Sequence, residues 1–294
     1  MAPTLTKKEN ATVGALAGVV DITCIQWAYY LKNARQQGLP LTMNPLVLYR
    51  GYGANCMNIA AGTCFQFGMN ATIEGALMKD GPRKLTASEQ IGSGFVAGFL
   101  SGIVASPFEL LMTQQQLRGG SIVNNSHRLL AGGPSYSLRG LLPTCFREGI
   151  FAAAYLGLAP VIRTKLSEAA PGTNQEALRV VAAVGSAAVC GVLSHPFDTV
   201  KTCMQGDVEQ QTYGRMSQCF SQIKASGGFS ALYRGIEFRF LRQVWQVWVL
   251  DLLREKLADA LFVSPSVKLS LPGAVVNSNA SCVNCEEEKK SNVA

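Results

Sequence analysis

Long apolar runs alternate with short polar stretches along this chain, and three of the runs close on amide or charged residues. The runs near 11–36, 88–117 and 175–206 end in "WAYYLKNARQ", "PFELLMTQQQ" and "PFDTVKTCMQ". A second set follows near 52–78, 140–167 and 236–262. A helix needs roughly 20 residues to cross a hydrocarbon core of about 30 Å, and each run supplies them. The pattern predicts six helices taken in pairs. Polar connections separate the members of the second and third pairs, "GGSIVNNSHRLLAGGPS" and "GDVEQQTYGRMSQCFSQIKASGG". The latter has the length and polarity for a short surface helix.

The pairs are copies of one unit. Val13–Gln37, Ser93–Leu117 and Ala182–Gly206 align without gaps. Gly14 and Gly18 fall on Gly94 and Gly98, with Ala183 and Ala187 in the third copy. Trp27 falls on Pro107 and Pro196, and Gln36 on Gln116 and Gln205. Each copy is followed by an Arg-Gly element ending at Gly51, Gly140 and Gly235. The period of 80 to 89 residues exceeds that of soluble helical repeats. Small residues four apart share a helix face and let backbones approach closely in lipid. The repeats divide residues 1–262 at about 10–80, 86–170 and 174–262 as one domain. The segment 263–294 is polar and rich in small residues, and reads as a mobile tail.

Composition agrees with a membrane protein. The 294 residues are 48% hydrophobic and only 15% charged, with a mean hydropathy of +0.17. The net charge of +7 is not gathered into a basic stripe, which argues against nucleic acid and for anionic lipid heads. Nine cysteines, several inside apolar runs, do not form a disulfide framework. Cys282 and Cys285 make one CxxC in the polar tail, a weak signal for zinc or redox chemistry on its own. "MAPTLTKKEN" lacks the features of a cleavable signal. No metal or cofactor is called for.

Taken together, "PFDTVKTCMQ", its two weaker copies and the three Arg-Gly elements resemble the mitochondrial carrier family over residues 10 to 262. The resemblance implies an all-α membrane protein of six transmembrane helices in three two-helix repeats with pseudo-three-fold symmetry. Pro107 and Pro196 would kink the odd helices and swing their ends toward a common axis. The family's pairing, carried onto this chain, joins Glu109 to Lys201 and Asp198 to Lys32 as a matrix-side gate. Gln36, Gln116 and Gln205 would brace it. Tyr29 and Met112 fill the third slot, where both charges are missing together, and an aromatic–thioether contact of about 0.3–1.5 kcal/mol could stand in for them. In the family the starts of the even helices hold cardiolipin, which here implies Gly51, Gly140 and Gly235. Arg50, Arg139 and Arg234 beside them read equally as lipid contacts or as interfacial snorkelling.

Seven residues beyond each of those glycines stand Asn58, Arg147 and Arg242. In the family these are substrate contact points, the second being the pair Arg147-Glu148. An arginine can fork onto a carboxylate while Glu148 faces an ammonium. The alternative is that Arg147 and Glu148 pair with each other. Arg239, Arg242 and Asp251 would need a wet cavity or partners in the sixth helix.

The departures from the family shape the expectation. Trp27 to Gly51 spans 24 residues, against 33 and 39 in the other units, leaving little room for a surface helix. Asn70-Ala71 and Ala159-Pro160 stand where the family has its second gate, and only "REKL" at Arg254 to Leu257 keeps an acid. The reading is a monomeric antiporter of a small carboxylate-bearing metabolite in the inner mitochondrial membrane. An amino acid or carnitine-like zwitterion ranks ahead of an oxo- or dicarboxylate. A degenerate carrier serving as an adaptor is the rival. An enzyme built on His195 is disfavoured, since His127 and His195 are the only histidines and no nucleophile motif surrounds either.

Overall fold

The computed structural model describes residues 7–78, 83, 85–243 and 245, with backbone alone for 7–18, 63 and 176. Among the described residues every regular element is helical. In chain order they are α1 (Lys7–Gln37), α2 (Pro45–Leu48), α3 (Tyr52–Leu77), α4 (Ala87–Arg118), α5 (Ile122–Ala131), α6 (Pro134–Ser137), α7 (Leu141–Ala152), α8 (Ala159–Ala169), α9 (Gln175–Gly206) and α10 (Met216–Gly227). Residues 236–243 begin a further helix. "REKL", Asp251 and Cys282/Cys285 lie outside the described residues.

Polarity is distributed inside out. Asp21, Lys32, Glu109, Asp198, Lys201, Gln205 and Arg239 are buried, while Val96, Ile103, Val180, Val181, Val184, Val192 and Leu193 are exposed. That is the arrangement of a protein whose outer solvent is lipid and whose interior is polar. The segments Ala87–Arg118, Pro134–Ala169 and Ala177–Gly206 are long and apolar enough to cross a membrane. Helices α1 and α3 have 31 and 26 residues, which is also sufficient length. Their hydropathy is diluted by polar side chains that turn inward: Asp21, Gln26, Lys32, Asn33 and Gln36 on α1, and Asn55, Asn58, Gln66 and Asn70 on α3.

Local chemistry sets the long helices. Thr86 caps α4 through a capping box with Glu89, and Arg83 grips the same carboxylate at 2.6 and 2.8 Å. Gly119 and Gly120, both at positive φ, stop α4. Gly94, Gly98 and Gly102 form the face on which α4 meets α7; a Cβ at Gly98 would stand 2.4 Å from the Glu148 carbonyl. The fourth membrane segment is not a uniform helix. A π-helical turn, Ala153–Leu158, separates α7 from α8 directly ahead of Pro160, the residue that ordinary helical hydrogen bonding cannot accommodate.

Helices α4 and α9 run through Pro107 and Pro196. Proline at 196 leaves the Val192 carbonyl without its helical donor. The Tyr233 hydroxyl supplies one at 3.2 Å, and its ring stacks on His195. Removing the hydroxyl in Tyr233→Phe is therefore expected to cost about 1 kcal/mol, visible as a thermal midpoint a few degrees lower in mild detergent.

The connections differ as the chain lengths require. The second and third units carry α5 and α10, whereas the short first connection holds only the four-residue α2. The second connection is thus helical as well, an element its sequence pattern does not announce.

Candidate functional site

The three units close on one another in a ring. Gly51 of the first unit packs on Met112 of the second, Gly140 of the second on Lys201 and Gln205 of the third, and Gly235 of the third on Lys32 of the first. All three have φ near +80°, and a Cβ would lie 2.9 Å from Met112, 2.8 Å from Gln205 and 3.1 Å from the Lys32 carbonyl. Glycine is demanded twice over at each, by the left-handed backbone and by the close approach. Packing alone therefore accounts for the glycine of each Arg-Gly element.

The arginine next to one of them has a structural task too. Arg139 is buried and donates to the backbone carbonyls of Met204 and Asp207, both at 3.2 Å, of Gly214 at 2.9 Å, and of Tyr213. It fixes the start of α7 to the chain leaving α9. Asp207 supports the same turn. Partial burial would raise its carboxyl, but the N–H groups of Tyr213, Thr212 and Gln211 outweigh that and hold it below the usual carboxylate range. Arg50 and Arg234 are exposed.

At the same end of the bundle the odd helices bring the gate residues together. Lys32 Nζ lies 2.7 Å from Asp198, and Lys201 Nζ 3.2 Å from Glu109. Gln36 donates to Asp198 at 3.0 Å and to Thr199 at 3.2 Å. Gln116 accepts from Asn33 at 2.6 Å, and Gln205 from Thr113 at 3.2 Å. Every one of these links joins neighbouring units.

The even helices add three arginines to this floor. Arg147 on α7 reaches Glu109 and Glu148, both at 2.5 Å, and stands 3.7 Å from Asp198. Glu148, assigned to a substrate ammonium by its position, thus spends an oxygen on its neighbour. Arg239 lies 3.5 Å from Asp198 and donates to Ser194 at 2.5 Å. Arg242 donates to the Tyr29 hydroxyl at 3.0 Å and lies over the Tyr29 ring at 4.8 Å. Tyr29 and Met112 line the same cavity, and the group Tyr29 holds is Arg242. Asn58 is buried and donates to Glu109 at 3.4 Å.

The cavity among Tyr29, Met112, Arg147, Arg239, Arg242 and the two gate pairs has a volume of about 20 Å³. That admits little more than one water. Asp198 faces four cations at once: Lys32, Arg239, Arg147 and Lys201, the last at 3.8 Å. One carboxylate is thus the acceptor that cations from three units share. Among the described residues no group of histidine, cysteine or acidic side chains could hold a metal ion.

A further polar track runs up α3. Asn55, Asn58, Gln66 and Asn70 are all buried, and the side-chain oxygens of Asn55, Asn58 and Asn70 and the nitrogen of Gln66 lack partners. Their spacing of about four residues puts them on one helix face. Repeat alignment does not reveal this track, because the other even helices carry no matching amides.

Comparison with known proteins points to one family. The model of the mitochondrial carrier protein family matches residues 174–262. The chain thus carries this family's pattern over its third repeat and is similar to its members over most of its length. Over 256 residues it is 28% identical to a protein of Dictyostelium discoideum named a probable mitochondrial 2-oxodicarboxylate carrier, covering 79% of this chain and 84% of that one. It is 28% identical over 219 residues to a mitochondrial carnitine/acylcarnitine carrier-like protein of Arabidopsis thaliana, covering 67% and 73%. It is 27% identical over 249 residues to a probable chloroplastic S-adenosylmethionine carrier of the same plant, covering 79% and 68%. The relatives are named as membrane carriers of small molecules. The chain's similarity is spread over relatives named for unlike substrates, so substrate choice has to be argued from the site.

Proposed function

We propose that this chain is an antiporter of a small carboxylate-bearing metabolite across the inner mitochondrial membrane, working by alternating access around one central site. The observation that carries the reading is the sharing of arginines. Arg147 and Arg242, at equivalent depth on even helices, are the groups that would fork onto a substrate carboxylate, and both already hold floor residues. Substrate binding and gate opening then compete for the same cations. A carboxylate is a stronger acceptor for Arg242 than the neutral Tyr29 hydroxyl. Bonds formed to substrate offset those broken at the floor, so the open state becomes accessible only when the site is occupied. In the family this floor faces the matrix, and its closed pairs correspond to the state open toward the other side.

The zwitterion reading ranks first because carboxylates and arginines are interleaved at the site. An oxodicarboxylate is the second reading, favoured by the two arginines and by the Dictyostelium relative. We further propose that one carrier domain, residues 1–262, acts as a monomer, with cardiolipin or another anionic lipid at the even-helix starts near Gly51, Gly140 and Gly235.

Reconstitution into liposomes loaded with unlabelled solute tests the function. Saturable uptake of a labelled amino acid, carnitine or oxodicarboxylate is expected, and Arg242→Ala should lower it at least 100-fold with the thermal midpoint nearly unchanged. Uptake of none of the panel by correctly oriented protein would overturn transport. An adaptor would keep its cellular activity in the Arg242→Ala variant.

A further inference from the structure

The three-fold repeat is broken at one joint, between the second and third units. Of the three equivalent arginines, Arg50 and Arg234 are exposed. Arg139 is 6% exposed and spends its guanidinium on four carbonyls of the third unit, those of Met204, Asp207, Tyr213 and Gly214. Residues 207–214 form a clasp there. Asp207 accepts from the N–H groups of Gln211, Thr212 and Tyr213 at 2.9, 2.8 and 2.7 Å, and the turn so fixed holds Gln210 at a left-handed φ of 58°. The clasp lies over the second unit. Val208, 1% exposed, packs with Leu129 and Ile122. Gln210 donates to Ser135 at 2.7 Å, and Glu209 meets Arg118 at 3.1 Å and also Arg128. The ion pairs of Glu209 are exposed and contribute little alone. The buried guanidinium contributes most, because separating the units would break four charge-assisted bonds together.

The other two joints are closed by different means. Between the first and second units the floor contacts are neutral: Asn33 donates to Gln116 at 2.6 Å, and Gly51 packs on Met112. Between the third and first units Lys32 meets Asp198 at 2.7 Å, and Arg35 lies 3.8 Å from Glu237 with both side chains more than half exposed. A bound solute can offset only the bonds it can replace. Lys32 and Asp198 line the cavity and are within its reach, whereas Arg139 and the clasp are not among the lining residues.

We propose that the second and third units move as one body, and that the floor opens when the first unit swings away from them. Lys32 and Asp198 then part, while Glu109 and Lys201 stay together. This rests on the alternating-access reading and says which joint of the ring moves. Repeat symmetry alone would have all three joints open alike, and the clasp is what removes that symmetry.

The test ties each joint in turn and reads proteoliposome uptake of labelled lysine, carnitine and 2-oxoadipate. In a background whose nine native cysteines are replaced and which keeps wild-type uptake, Ser135→Cys with Gln210→Cys spans the second and third units. Arg35→Cys with Glu237→Cys spans the third and first. All four positions are exposed, so a short, thiol-cleavable bis-methanethiosulfonate can reach them. Linking at Arg35 and Glu237 should lower uptake by roughly 20-fold or more, with recovery on reduction, and linking at Ser135 and Gln210 should change it by less than about twofold. Spin labels on the same two pairs give an independent reading: a transported solute should lengthen the first distance and leave the second unchanged. A reversible loss of uptake on linking Ser135 to Gln210, or a lengthening there, would overturn the proposal. Uptake undiminished by the link at Arg35 and Glu237 would overturn it as well. Wild type that takes up none of the three probes would overturn the transport reading itself.

Discussion

Replacing Asp198 with asparagine should abolish uptake and lower the thermal midpoint by about 10 °C, the largest stability effect expected of any single change at the floor. The reason is the number of cations that depend on this one carboxylate. Lys32 sits at 2.7 Å, Arg239 at 3.5 Å, Arg147 at 3.7 Å and Lys201 at 3.8 Å, all with little exposure. Removing one partner of a buried pair costs about 3–5 kcal/mol, because the other charge is left dry and unmatched. Here Arg147 and Lys201 retain Glu109, but Lys32 and Arg239 lose the carboxylate they share. The reverse substitution, Lys32→Met, leaves Asp198 with three cations and should be much milder. Thermal unfolding of Asp198→Asn, Lys32→Met and the double variant, measured in one detergent, checks this. The double variant should be more stable than Asp198→Asn alone, since it also removes the charge left stranded. Equal destabilisation by the two single variants would show that the floor is held by isolated pairs rather than by one shared carboxylate.

Arg147→Leu is expected to reduce uptake more than 100-fold, and Arg147→Lys should not restore it. The guanidinium reaches Glu109 and Glu148 together at 2.5 Å. A lysine offers a single point charge and cannot fork between two carboxylates while also meeting a substrate. Stability should fall less than in Asp198→Asn, because Glu109 keeps Lys201 at 3.2 Å and Glu148 is less buried. The informative comparison is between rate and affinity. Loss of a group used only to bind substrate would raise KM and spare the maximal rate. A group shared between substrate and gate should depress both, and initial-rate measurements in liposomes separate the cases.

Much of this arrangement is legible in the sequence because charge inside an apolar run is conspicuous. Glu109, Asp198, Lys32 and Lys201 stand out in that way, and the repeats supply their register. The glycines are visible as a pattern, but their reason is not. Only the structure shows that Gly51, Gly140 and Gly235 each receive the next unit's odd helix. Arg239 is recognisable as a charge needing a partner, yet the partner lies on α9, beyond anything that spacing along one helix reveals. Repeat alignment gives depth along a helix, while a long arginine side chain acts sideways. Depth alone therefore assigns Arg147 to substrate, when it also ties down the gate. The connection between α4 and α7 hides its helix α5 because serine and asparagine dominate its start, and Ser121 is in fact the cap.

The central claim is that substrate opens the floor by drawing on the cations that hold it shut. Spin labels at Arg35, near the end of α1, and at Gln210, just beyond α9, report that opening in a variant whose nine native cysteines are replaced. Without substrate, the interlabel distances should form one narrow population. Adding the solute that this carrier transports should create a second, longer population, and the same addition to Arg242→Ala should not. A distribution unchanged by a transported solute would contradict the account.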